Sequence, residues 1–452
     1  MSRQPNVIVF FTDQQRWDTC GAHGNPLDLT PNYDRLARSG THARLAFTPQ
    51  PVCGPARSCV QTGLYATQTG CFKNGIALRA EADSLARRFA AGGYATGYIG
   101  KWHLALGEKG PVKAEARGGY DYWLAANALE MTSDAYDTVV YDNDNRAVKL
   151  PGYRVDALTD AAIRYVNDRS AQPQPYFLFL SFLEPHHQNH RDDYPAPTGY
   201  AERYRGRWMP PDLQALVGTA PQHLPGYCGM VKRLDEALGR LLDALESLGQ
   251  LDDTIIVFTS DHGCHFKTRN QEYKRTGHES SLRIPLVFGG GPFRGGGELR
   301  EMASLVDLYP TLLDACGLPV PSHVSGRSLL PLLHGRTDPS RPDEIFAQTS
   351  EHEHGRVLRT RRWKYGVLDR TEGAEVRPHS ERYEEAYLYD LFADPDELTN
   401  LIGFESHLPV TEHMRGRLLD WMKRVGEPPA TIVPAAVKPS GQRRVLAEEI
   451  MK

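Results

Sequence analysis

The run Cys53-Gly54-Pro55-Ala56-Arg57 places a thiol, a proline and a permanent cation within one short stretch. Proline suits the first turn of a helix, where its missing N–H costs nothing, so a helix running from Ala56 onward sets the thiol at the positive end of a helix dipole. An anionic group is favoured there, and the same surroundings lower a cysteine pKa and make the thiolate a nucleophile. The ordinary alternative is a packed, inert thiol, which is the reading for Cys59 and Cys71. Asp13 and Asp261 each close an apolar run, NVIVFFTD and TIIVFTSD. Two carboxylates brought together repel unless a cation sits between them, and a hard divalent ion such as Ca²⁺, Mg²⁺ or Mn²⁺ is the natural filler. Gln14 and His262 stand beside them and offer an amide oxygen and an imidazole. Taken singly, each aspartate is as well explained by capping a following helix.

These residues need a scaffold that brings them together. Four strand-length runs end in ionisable groups: NVIVFFTD at Asp13, YATGYIGKWH at Lys101 and His103, YFLFLSFLEPHH at His186 and His187, and TIIVFTSDHG at Asp261 and His262. Helical patterns separate them, as in LTPNYDRLARSG, EADSLARRFAAGGY and GYCGMVKRLDEALGRLLDALESLG, so the chain reads as an α/β fold with a large, mainly parallel sheet flanked by helices. In such sheets ligands bind beyond the carboxyl ends of the strands, where all four runs deliver their charges. After about residue 340 shorter strands and the helix TEHMRGRLLDWMKRVG follow, which predicts a catalytic domain over 1–340 and a smaller α+β domain over 341–452. The final AAVKPSGQRRVLAEEIMK reads as a tail that frays or docks on a neighbouring subunit, so a homo-oligomer is an expected partner state.

Composition narrows the setting. With 52 basic against 56 acidic side chains there is no net field to recruit nucleic acid or an anionic membrane. The first apolar run is shorter than the roughly 7–15 residues of a secretory core, and no run reaches the ~18 of a membrane span, so a cytoplasmic protein is expected. Seven cysteines without a C-x-x-C pair argue against a disulfide framework or a cysteine zinc site.

The stretch CGPARSCVQTG resembles the sulfatase signature, in which the cysteine of Cys-x-Pro-x-Arg is oxidised to formylglycine. GKWHL at 100–104, YKRTGHESSLRIP at 273–285 and LYDLFADPDELTNL at 388–401 are similar to further sulfatase motifs in the family's order. The resemblance implies an alkaline-phosphatase-like fold, a Ca²⁺ site held by Asp13, Gln14, Asp261 and His262 around residue 53, and a formylglycine-installing enzyme as partner. Carried over by position, it makes Arg57, Lys101 and Lys274 the cations of the reacting centre and His103 the base. His186 becomes the general acid, with the adjacent His187 as the competing assignment. Asn74, His187, His278 and Arg283 become substrate contacts. The implied activity is hydrolysis of a sulfate ester carried by a small molecule or oligosaccharide. The pairs Asp13-Gln14 and Asp261-His262 also resemble the choline-sulfatase and phosphonate-monoester-hydrolase branch, which keeps phosphorus esters as an alternative. A non-catalytic anion- or glycan-binding protein on the same fold is a second.

Overall fold

The computed structural model describes residues 4–333, 335–336, 341, 343–440 and 444–451. Ten strands form the large sheet: β1 (Asn6–Thr12), β2 (Thr41–Ala43), β3 (Ala95–Lys101), β4 (Tyr122–Ala126), β5 (Thr138–Tyr141), β6 (Ala147–Leu150), β7 (Tyr176–Ser181), β8 (Thr254–Ser260), β9 (Leu286–Gly289) and β10 (Gly297–Leu299). Their order is β10-β2-β9-β8-β1-β7-β3-β4-β5-β6. The central block β8-β1-β7-β3-β4 is parallel throughout, and antiparallel pairings occur only towards the two edges.

Alternation along β1 explains how the sheet is buried on both faces. Val7, Val9 and Phe11 enter one hydrophobic cluster, while Ile8 and Phe10 enter the other. The helices α1 (Pro31–Ser39), α3 (Arg154–Ser170) and α4 (Ala220–Ser247) cover the Ile8 face through Leu36, Leu158, Leu238 and Leu241. The helix α2 (Cys53–Thr62) covers the opposite face through Ala56 and Val60 and is buried along its whole length. Among the described residues no helix is long and apolar enough to cross a membrane.

A second sheet of five strands, β11 (Ile345–Thr349), β12 (His354–Arg359), β13 (Trp363–Asp369), β14 (Arg382–Asp390) and β15 (Thr431–Val433), packs against α5 (Leu408–Arg424). It is antiparallel except for the β14–β15 pair. The expected tail docks on its own chain: Trp363 Nε1 donates to the Glu449 carbonyl at 2.7 Å, and Arg362 pairs with Glu449 at 2.9 Å. Val445 and Ile450 join the apolar cluster under the second sheet, which gives this segment a reason to fold back.

Candidate active site

Strand register sets the position of the reacting groups. Phe11 pairs with Ser181, Thr12 with Ser260 and Gly100 with Ser181, so β1, β3, β7 and β8 finish level with one another. Asp13, Lys101, His186 and Asp261 therefore emerge at one edge. Gly100 has φ +107°, and a Cβ there would lie 1.8 Å from the Ser181 carbonyl oxygen, so only glycine lets β3 approach β7 just before Lys101. Immediately beyond the strands the backbone turns through left-handed geometry at two non-glycine residues, Gln14 (φ 68°) and His103 (φ 61°). Such conformations cost free energy and cluster at functional sites.

Helix α2 begins at Cys53 with Val52 as its N-cap, and it carries both the thiol and Arg57 to the strand ends. Lys274 Nζ lies 2.8 Å from Cys53 Sγ, 3.0 Å from His186 Nε2 and 3.2 Å from His262 Nε2. Sγ is 3.3 Å from His262 Nε2 and 3.5 Å from Asp13 Oδ1. On the other oxygen of Asp13, Arg57 Nη2 and Lys101 Nζ both sit at 2.9 Å. Arg57 also donates to the Lys101 carbonyl at 2.8 Å and to Ser181 Oγ at 2.7 Å, and so ties the helix to the ends of β3 and β7. His103 adds to the groups that lower the Cys53 pKa.

This cage shifts its own acids and bases. Burial pushes the Cys53 thiol up, but Lys101, Lys274 and His262 outweigh burial and hold it well below the usual cysteine value. Cys71, buried without such neighbours, is pushed up to about 11, as expected of an inert thiol. Burial and Cys53 raise Asp13, yet Lys101, His186 and Arg57 keep its carboxyl far below the ordinary range. Asp261 goes the other way, to about 7, through burial and the proximity of Asp13. Burial and Lys274 lower His186.

Asp13, Cys53, Asp261 and His262 are all buried, and their ligand atoms lie within 4.8 Å of one another. Three further observations fit a hard divalent cation. The Gln14 amide nitrogen donates to Tyr194 Oη at 3.0 Å and lies 3.4 Å from Cys264 Sγ, which leaves its buried oxygen without a partner. Asp261 Oδ2 is buried and takes no hydrogen bond, although Arg57 Nη2 is 3.3 Å away. His262 donates from Nδ1 to the Gly263 carbonyl at 2.9 Å, which turns the lone pair of Nε2 into the cage.

The remaining expected residues divide. Asn74 lies beside the cage, where its Oδ1 accepts from the Gly54 N–H at 2.9 Å. Of the histidine pair, His186 reaches Lys274 while donating from Nδ1 to the His187 carbonyl at 2.6 Å. His187 stacks on His186 with ring centroids 4.3 Å apart and packs tilted against Tyr273 at 4.4 Å. His278 and Arg283, expected as substrate contacts, pair with other groups. His278 Nε2 is 3.2 Å from Tyr389 Oη in the second sheet, and the Arg283 guanidinium lies over the Trp17 ring at 3.6 Å. The short helix between them, Glu279–Leu282, is held by Lys364 to Glu279 at 2.9 Å.

Two residues join the site without a sequence signal. Glu130 pairs with Lys101 at 2.9 Å inside the protein, and Glu351, from the loop after β11, accepts from the Asn74 N–H at 2.6 Å and pairs with Arg275 at 2.6 Å. Burial raises Glu130, but Lys101, His103 and His186 outweigh burial and bring it to about 2. Because that folded value is depressed below the ordinary 4.5, the stability it contributes is present above pH 4.5 and lost as pH falls towards 2. Glu130→Gln is expected to flatten the stability loss across that window and to lower kcat/KM by about tenfold to a hundredfold as Lys101 loses its fixed position. Acid-unfolding curves that superimpose on those of the parent would overturn this reading.

Comparison with known proteins decides the class. The family model described as Sulfatase matches residues 5–318. The chain belongs to the sulfatase family. A second model, N-sulphoglucosamine sulphohydrolase, C-terminal, matches residues 271–424. This sulfatase is 29% identical over 420 residues to the ulvan-active sulfatase of Formosa agariphila, covering 88% of this chain and 77% of that one. It is 25% identical over 480 residues to the N-acetylglucosamine-6-O-sulfatase of Bacteroides thetaiotaomicron, covering 89% and 83%. The structure of BT4656 in complex with its substrate D-glucosamine-2-N,6-O-disulfate shares the fold, with a TM-score of 0.77, 24% identity and coverage of 93% and 98%. The chain is thus a sulfuric ester hydrolase on the alkaline-phosphatase-like fold, as the motifs implied.

Proposed function

We propose that this sulfatase cleaves the sulfate ester of a sugar or oligosaccharide, using a formylglycine made from Cys53. The observation that carries the reading is the convergence on Sγ of Lys274 at 2.8 Å, His262 at 3.3 Å and the Asp13 carboxylate at 3.5 Å, at the start of a buried helix. The relatives that act on ulvan and on N-acetylglucosamine 6-sulfate support a sugar ester.

A hydrated aldehyde at position 53 supplies one hydroxyl to attack sulfur and a second through which sulfate is expelled and the aldehyde restored. Asp13, Gln14, Asp261 and His262 would hold a divalent cation, whose charge favours the ionised hydroxyl. Lys101 and Lys274 flank residue 53 and offset the charge that grows on the sulfate oxygens. His186 delivers a proton to the leaving sugar oxygen, which would otherwise depart as a poor alkoxide. His103, whose side chain helps to lower the Cys53 pKa, is the base for the proton of the second hydroxyl. Asn74 fixes the first turn of α2 through Gly54 and faces the entering substrate.

The test is the mass of the peptide carrying Cys53, from a host that installs formylglycine, together with release of sulfate, phosphate and phosphonate leaving groups from matched esters. Loss of sulfur and two hydrogens with gain of oxygen, and sulfate release dominant on sugar esters, is the expected result. An unmodified thiol in fully active protein would overturn the formylglycine step. Faster turnover of phosphonate monoesters would move the preferred substrate to phosphorus.

A further inference from the structure

Away from Cys53, where the loop after β1 and the segment after β2 meet the second sheet, lies an open cleft of about 670 Å³. Arg44, Arg283, Arg359 and Arg361 line it with Trp17 and Phe392, and no acidic side chain lines it among the described residues. The carboxylates behind these arginines are unevenly shared: Asp343 pairs with Arg361, while the other arginines draw on two. Glu279 serves Lys364 at 2.9 Å, Arg359 at 3.4 Å and Arg283 at 3.9 Å. Glu298 meets Arg44 only at 3.5 Å between exposed side chains, a pairing of little worth in water. Arg283 Nε is buried with no hydrogen-bond partner. Burial, with Arg359 and Arg44 as like-charged neighbours, pulls Arg283 down to about 10 against the opposing effect of Glu279. An incoming anion relieves this crowding. Phe392 is 62% exposed on the rim and offers a ring face to a ligand.

The cleft shares Trp17, His23, Gly24 and Arg283 with a second one of about 290 Å³, so the two form one groove. The second half is different in character: it carries Trp208 with Asn25 and Asp396, and its Asp18 and Asp212 are paired with Arg16 at 2.6 and 2.8 Å. Asn25, Asp396 and the outer oxygens of these neutralised pairs suit hydroxyls better than a second strong anion. A ligand that suits the whole groove is anionic at one end, rich in hydroxyls at the other, and built of rings that lie on aromatic faces. A nucleic acid, charged at every unit, does not meet that description. Among the described residues no groove residue makes a hydrogen bond or ion pair with Cys53, Lys101, His186 or Lys274.

We propose that this groove is an ancillary binding site for a sulfated oligosaccharide, holding sugar units other than the one whose ester is cleaved. The inference rests on the sugar-sulfate reading of the active site. Sulfate or carboxylate groups engage the arginine forks, and sugar rings lie on Phe392 and Trp208.

The experiment compares the parent with the double variant Arg44→Ala, Phe392→Ala, both residues on the outer wall of the groove. Binding is measured by calorimetry on the Cys53→Ala background, with an ulvan-derived and a heparin-derived hexasaccharide as probes and duplex DNA as control. At least one hexasaccharide is expected to lose about tenfold in affinity on double substitution. Turnover of 4-nitrophenyl sulfate and of sulfated monosaccharides, measured with Cys53 intact, is expected to stay at the parent level. Hexasaccharide affinities independent of both side chains would overturn the groove, as would DNA binding with the same dependence. Failure of the parent to release sulfate from any sugar would instead count against the active-site reading, and the calorimetry separates the two.

Discussion

Alanine at position 53 is expected to cut sulfate release by about 10⁴-fold or more while leaving the protein folded, because the chemistry is assigned to the atoms beyond Cβ. Cys53 is 1% exposed at the first position of α2, and alanine fits that position and keeps the helix start. What disappears is the group facing Lys274 at 2.8 Å. Serine makes a sharper probe. Its hydroxyl is placed to attack sulfur, but it has no second hydroxyl through which to expel the sulfate, so Cys53→Ser is expected to release at most one equivalent of alcohol and retain the sulfate. Rapid-quench product counting and intact mass read both effects. Steady turnover by Cys53→Ser at the parent rate would sink the covalent mechanism.

His186→Ala is expected to show a loss that depends on the leaving group. Burial and Lys274 lower the His186 pKa, so in the resting cage the imidazole is neutral and its Nε2 faces the Lys274 ammonium at 3.0 Å. A sulfate ester entering between them draws the ammonium towards its oxygens and favours the protonated ring. A sugar alkoxide needs that proton and a nitrophenolate does not. The variant is therefore expected to lose about 10²–10⁴-fold in kcat on a sugar sulfate and less than about tenfold on 4-nitrophenyl sulfate. His187→Ala, which removes a ring packed between His186 and Tyr273 but no proton donor to the leaving group, is expected to change both substrates alike. Equal losses on the two substrates in His186→Ala would take the acid role away from His186.

Much of this site was legible from the chain because a parallel sheet converts a one-dimensional pattern into a place. An apolar run that stops at Asp13, Lys101, His186 or Asp261 says that the residue lies at a strand end, and the parallel direction says that the ends share an edge. Register is not written in the runs, yet it decides the distances: the pairing of Gly100 and Phe11 with the same Ser181 is what levels the strands. Glu130 stood outside any run, on a four-residue helix, and nothing local marks it as the partner of Lys101. Glu351 belongs to the second sheet, and its reach to Asn74 is a property of how the sheets meet. His278 and Arg283 show the opposite limit. Their motif identifies the segment, but the groups these side chains meet, Tyr389 and Trp17, are set by the fold.

The burial of α2 also imposes an order of events. Every residue of that helix, Cys53 to Thr62, is sealed between the large sheet and the rest of the core, so a second protein has no path to the Cys53 side chain once the chain has collapsed. On the formylglycine reading, oxidation and folding are then in a race. The installing enzyme must meet an extended Cys-x-Pro-x-Arg segment during or just after synthesis, and each molecule that folds first is committed as a thiol for as long as it stays native. The fraction of active molecules in a preparation is accordingly a kinetic quantity. Slower translation or more installing enzyme raises it, and oxidant added to the finished protein does not.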